Sequence, residues 1–163
     1  MLGWVVAIGL ILVGGPQRAQ NSVPSVTPAP PDGTVIDASK ARAFSDSLVK
    51  AILEGKPAEI RRHMEDAFRV AVPDHQMEPL LTRVYSYGGK PLEAEFKSVE
   101  VGYRLYEGGR AKPLRKFWYA VRTSEHPKGK YFLFVEVVPD ETSLACASFQ
   151  IVSFPLGAPP ILK

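Results

Sequence analysis

Residues 76–105 read QMEPLLTRVYSYGGKPLEAEFKSVEVGYRL, and the rhythm of the apolar side chains changes within them. Before Gly88 and Gly89, the residues Met77, Leu80, Leu81, Val84 and Tyr85 follow the 3–4 spacing that gathers side chains on one side of an α-helix. Beyond them, Val99, Val101, Tyr103 and Leu105 alternate with Glu100, Gly102 and Arg104, which is the two-residue period of a strand. Pro79 puts the regular start of the helix, expected over 76–87, near its own position, and the two glycines end it. Phe96 sits on the opposite phase to Val99, so a bulge is expected near Lys97.

Working toward the N-terminus, Ala41, Phe44, Leu48, Ala51 and Ile52 form one apolar stripe, predicting a helix over Asp37–Glu54. Asp37 or Ser39 can cap its start, and Gly55 offers the left-handed stop. Pro57 suits the first turn of a second helix, on which Ile60, Met64 and Phe68 form a narrow stripe and Arg61, Arg62 and Glu65 are expected to face water. Pro73 ends that unit. Working toward the C-terminus, Glu107 to Gly109 begin a hairpin loop, and Phe117, Tyr119 and Val121 face the core from a second strand while Trp118 points the other way. Residues 131–138 (YFLFVEVV) are apolar on both faces, as a central strand requires. A turn over Pro139–Thr142 leads into a fourth strand over Leu144–Phe154. Helices followed by strands predict an α+β fold, with three N-terminal helices packed on one face of a four-stranded antiparallel meander.

The chain has 163 residues, 45% of them hydrophobic and 23% charged, enough apolar matter for a core that needs neither metal nor disulfide. Its one cysteine, Cys146, lies in a strand-like run and reads as a buried thiol. The net charge is +3, with Lys and Arg spread over every segment, which argues against a nucleic-acid partner. Trp4–Val13 (WVVAIGLILV) is an uncharged apolar run too short for a comfortable membrane span, broken by Gly14, Gly15 and Pro16. We read residues 1–20 as a signal peptide or an uncleaved N-terminal anchor, which predicts an exported chain, periplasmic or extracellular. Residues 21–36, rich in proline, read as a linker; 37–155 as the domain; 156–163 as a tail. Contact with a membrane is expected only through the N-terminal segment.

The order of elements resembles the nuclear transport factor two-like (cystatin-like, SnoaL-like) superfamily. More narrowly, Ala43–Gly55 (AFSDSLVKAILEG) with Pro57–Phe68, and Phe117–Thr123 (FWYAVRT) with 129–138 (GKYFLFVEVV), are similar to small exported bacterial domains of unknown function. Lys56 departs from the acidic cap that such domains often carry. The resemblance implies helices lodged in the concave face of a curved sheet, a cone with room for a ligand. It does not choose among the isomerases, dehydratases, carriers and dimerisation modules built on that plan.

No residue set stands out as catalytic, cofactor-binding or metal-ligating. His63 and Asp66 are three apart and could form a hydrogen-bonded base, although they lie on a charged stretch. Asp74 and His75 follow Pro73 and fit an ordinary turn or a cap. His63, His75 and His126 show no metal-ligand spacing. Gly108, Gly109 and Arg110 lie between strands rather than between a strand and a helix, so they are not a phosphate loop. Arg110, Lys112, Arg115 and Lys116 form the densest basic cluster, which a solvated hairpin explains. Tyr85, Phe117, Tyr119, Tyr131 and Phe149 are the candidates for lining a pocket that takes a small apolar ligand. Trp118, Phe132 and Phe134 fall on the opposite strand phase and are the candidates for an outer-face interface, most simply a homodimer. The expected function is a non-enzymatic binding or dimerisation module of the cell envelope; the alternative is a small acid–base enzyme, an isomerase or dehydratase.

Overall fold

The computed structural model describes residues 35–86, 88–107, 109–127, 131–141 and 143–153. The expected signal or anchor over 1–20, nearly all of the linker over 21–36 and the tail over 156–163 lie outside the described residues. Among the described residues four helices precede four strands: α1 (Ala38–Glu54), α2 (Pro57–His63), α3 (Asp66–Ala71), α4 (Asp74–Tyr85), β1 (Pro91–Leu105), β2 (Ala111–Thr123), β3 (Tyr131–Asp140) and β4 (Ser143–Ser153). The α+β class and the antiparallel four-stranded sheet, in the order β1-β2-β3-β4, agree with the alternation in the sequence.

Both ends of α1 follow from local chemistry. The Asp37 carboxylate accepts the Lys40 N–H at 2.8 Å, and Gly55, at φ 66, turns the chain out of the helix. A single second helix, however, does not form. Met64 adopts an extended backbone (φ −80, ψ 153) and makes a parallel bridge with Cys146 of β4, while the Glu65 N–H donates to the Cys146 carbonyl at 3.0 Å. These two residues satisfy an edge of the sheet instead of continuing a helix, so the second expected helix is divided into α2 and α3. Guanidinium groups take carbonyls at the break and at the C-terminal end of α3. Arg69 donates to the Met64 carbonyl at 2.6 Å, and Arg61 to the carbonyls of Val72 and Arg69 at 2.9 and 2.6 Å. Arg61 and Glu65 are therefore drawn inward rather than facing water, and Arg62 is the residue of that group that stays exposed.

Helix α4 begins at Asp74, five residues before Pro79, not near the proline itself. The carbonyl that Pro79 cannot bond belongs to His75, which is exposed, so water can take that bond.

The core lies between α1, α2 and α4 and one face of the sheet. Leu48, Ile52, Ile60, Met64, Met77 and Leu81 meet Phe117, Tyr119, Val121, Leu133, Val135, Val137, Cys146 and Phe149. Strand β3 is buried on both faces, as a central strand should be, for Phe134 and Val138 on its other side are also covered. The bulge near Lys97 is present: Phe96 pairs with Tyr119 and Ser98 with Trp118, so one extra residue restores the phase and puts Phe96 and Val99 on the same face.

Candidate functional site

On the helix side, α1 and β2 meet through a polar cluster. The Tyr119 hydroxyl lies 2.8 Å from both Ser45 Oγ and Asp46 Oδ1. An ionised carboxylate only accepts, so Tyr119 donates to Asp46 and takes the Ser45 proton. Arg42 donates Nε–H to the Asp46 carboxylate at 2.9 Å, and its guanidinium sits 3.6 Å from the centre of the Phe96 ring. Burial holds the Tyr119 hydroxyl well above the ordinary tyrosine value, the Ser45 bond opposes this, and Asp46 reinforces it. Tyr119 is thus a neutral donor rather than a base, and the cluster fastens α1 to the sheet.

Of the residues expected to line a pocket, Phe117, Tyr119 and Phe149 are buried in the core, and Tyr85 and Tyr131 pack at its border. Tyr85 donates its hydroxyl to the Ile52 carbonyl at 2.9 Å, and burial raises its pKa to about 12. Tyr131 rests against His126, with ring centres 5.1 Å apart. His63 and Asp66 are not paired. His63 donates Nδ1–H to the Glu59 carbonyl at 2.7 Å and directs Nε2 to Ser47, while Asp66 pairs with Arg69. His75 is exposed on α4. The Cys146 thiol is fully buried, donates to the Ser148 carbonyl at 3.2 Å, and is shifted strongly upward, chiefly by that burial. It is a packing group, not a nucleophile. Among the described residues no three His, Cys, Asp or Glu side chains group as metal ligands.

The opposite face of the sheet is built around a carboxylate. Glu136 accepts from Arg104 at 2.6 Å and Ser148 at 2.7 Å, with the Lys116 ammonium at 3.6 Å. Lys116 also lies 3.9 Å from the Phe134 ring centre and 4.8 Å from that of Trp118, and Trp118 donates its indole N–H to Glu100 at 2.9 Å. At the hairpin end, Tyr106 donates to Glu65 at 2.5 Å and Lys112 reaches the same oxygen. The Tyr106 hydroxyl is shifted upward by burial and by the Glu65 charge. Of the residues expected at an interface, Phe134 is only 7% exposed, and Trp118 and Phe132 are half-buried. The basic cluster is divided by the strand period: Lys112 and Lys116 serve this face, whereas Arg115 donates to the Ile36 carbonyl at 3.0 and 3.1 Å on the other.

The apolar surface that is accessible lies elsewhere. Val99, Val101, Tyr103 and Leu105 pair with Phe117, Arg115, Pro113 and Ala111 of β2, which puts them on the helix side of the sheet. Yet Val101 is 73% and Leu105 67% exposed. The row continues the core face past the point where helices cover it, on a strand that among the described residues pairs only with β2. The alternation marked these residues as one face of a strand, but nothing in it told that the helices stop short of them.

No protein-family model, curated protein or solved structure matches the chain.

Proposed function

We propose that the chain is an exported, non-enzymatic binding or assembly module of the cell envelope that works by associating through its sheet. The nuclear transport factor two-like plan, with helices in the concave face of a curved sheet, is part of this proposal. The register shifts in β1 and between β3 and β4 support it, because bulges bend strands. Export rests on the apolar run Trp4–Val13 and the proline-rich stretch that follows.

The observation that carries the assembly role is the accessible row Val99, Val101, Tyr103 and Leu105 on edge strand β1. A contiguous apolar row on a sheet edge favours association, and a protein without a partner for it usually protects it with charge or a short strand. β1 runs for 15 residues; its register shifts fall before Val99, so no bulge interrupts the row, and Glu100 and Arg104 lie on the other face of the strand. The face bearing Trp118, Phe132 and Phe134 is the second surface such a module would present, and a small apolar ligand beside Tyr85 and Tyr131 is the other use of the plan.

An acid–base enzyme draws its best support from the Tyr119–Asp46 pair, but Tyr119 is a buried donor and Arg42 already compensates Asp46. Sedimentation equilibrium over a hundredfold range of concentration tests the assembly role. A mass that rises toward twice the monomer supports it, and a monomer throughout refutes it.

A further inference from the structure

We infer that the partner is a second copy of this chain, joined edge to edge as an antiparallel β1–β1 pair whose twofold axis passes through Gly102; this rests on the assembly role proposed above.

The first ground is charge. Around an axis at Gly102, residues whose numbers sum to 204 stand opposite each other. Val99 then meets the partner's Leu105 and Val101 the partner's Tyr103, so the two apolar rows merge on one face. On the other face Glu100 meets the partner's Arg104, and Arg104 the partner's Glu100. Sliding one copy by two residues loses both charge pairs. Sliding it by four sets Glu100 against its own copy or Arg104 against its own. Opposite charges directly across a ladder stabilise it and like charges destabilise it, so the sequence of β1 selects one register. Within its own chain Glu100 accepts from Trp118 and Arg104 donates to Glu136. A carboxylate accepts several bonds and a guanidinium has five N–H donors, so each can serve both partners.

The second ground is the glycine. Gly102 lies inside a 15-residue strand, where glycine weakens pairing, and its φ is not positive. A Cβ built at Gly102 meets nothing within 4 Å, so a single copy gives no steric reason for it. A second backbone approaching at that residue does give one, because the absent side chains leave room for the two Glu100–Arg104 pairs to close across the axis.

Cross-linking the full chain tests the register. Residues directly opposite in an antiparallel pair have Cα atoms roughly 4.5–5.5 Å apart, within the range a disulfide spans. The Gly102→Cys chain should therefore oxidise to a covalent dimer, at least about tenfold faster than Val101→Cys, whose two copies are offset along the strands. Cys146, being buried, should leave the parent chain unlinked. A second arm uses charge: Glu100→Arg and Arg104→Glu chains should each be monomeric alone and should form a mixed dimer with one another. If the parent chain is a dimer but Gly102→Cys links no faster than Val101→Cys and the charge variants fail to pair, β1 pairing is wrong and assembly uses another surface. A parent chain that stays monomeric removes both the pairing and the assembly role.

Discussion

Tyr119→Phe removes one oxygen from the junction of α1 and β2 and leaves the ring in place. The hydroxyl lies 2.8 Å from Ser45 Oγ and 2.8 Å from Asp46 Oδ1. Ser45 is fully buried, so losing the acceptor there leaves its proton to the backbone of its own helix, a poorer arrangement. Asp46 keeps Arg42 and has access to water, so its share of the loss is smaller. A net hydrogen bond contributes about 1 kcal/mol and an unsatisfied buried partner costs about 1–3, which gives roughly 2 kcal/mol for this variant. With a urea slope of about 1.5 kcal/mol per molar, the midpoint of unfolding should fall by about 1.3 M at unchanged slope. Tyr85→Phe removes a single bond, to the Ile52 carbonyl, and should lose about half as much. Equal losses for the two variants, or a Tyr119→Phe midpoint within about 0.3 M of the parent, would refute the inference that this hydroxyl fastens helix to sheet.

Two further outcomes follow from buried groups. The folded-state pKa of Tyr85 is about 12 and those of Tyr106 and Tyr119 are also raised, so folding favours their neutral forms. Their contribution is fully present below the unfolded tyrosine value of about 10 and is lost as pH rises above it, by up to about 1.4 kcal/mol per pH unit for each. Urea midpoints measured from pH 9 upward should therefore drop, less steeply in Tyr119→Phe, and equal slopes in the two proteins would contradict this. The Cys146 thiol should react with an aromatic disulfide reagent only as fast as the chain opens, so labelling at neutral pH should be at least a thousandfold slower than in urea. Rapid labelling of the folded chain would place Cys146 at the surface.

Local pattern made the strands legible because each carries its own alternation or its own doubly apolar run. Residues 131–138 announced a central strand, and Phe96 against Val99 announced the bulge. The break at Met64–Glu65 was not legible in the same way. Ile60, Met64 and Phe68 keep helical spacing across it, and its cause is a bond from Glu65 to Cys146, 81 positions away in the chain. Glu136 could be seen as a charge in an apolar strand, but its partner Arg104 lies two strands away, and only the register brings them together. The aromatics on the second phase were visible as an excess. That Phe134 would be covered by Lys116 and Trp118 while the β1 row stayed accessible depends on how far the helices reach, which no single stretch encodes.

Hydrogen exchange along β1, followed as a function of protein concentration, tests the association edge most directly. Amides of residues 98–106 that point away from β2 should exchange rapidly in dilute solution and become protected as the chain associates, while those paired with β2 stay protected throughout. Outward amides that exchange equally fast at every concentration, in a chain that nonetheless dimerises, would show that β1 is not the surface through which it assembles.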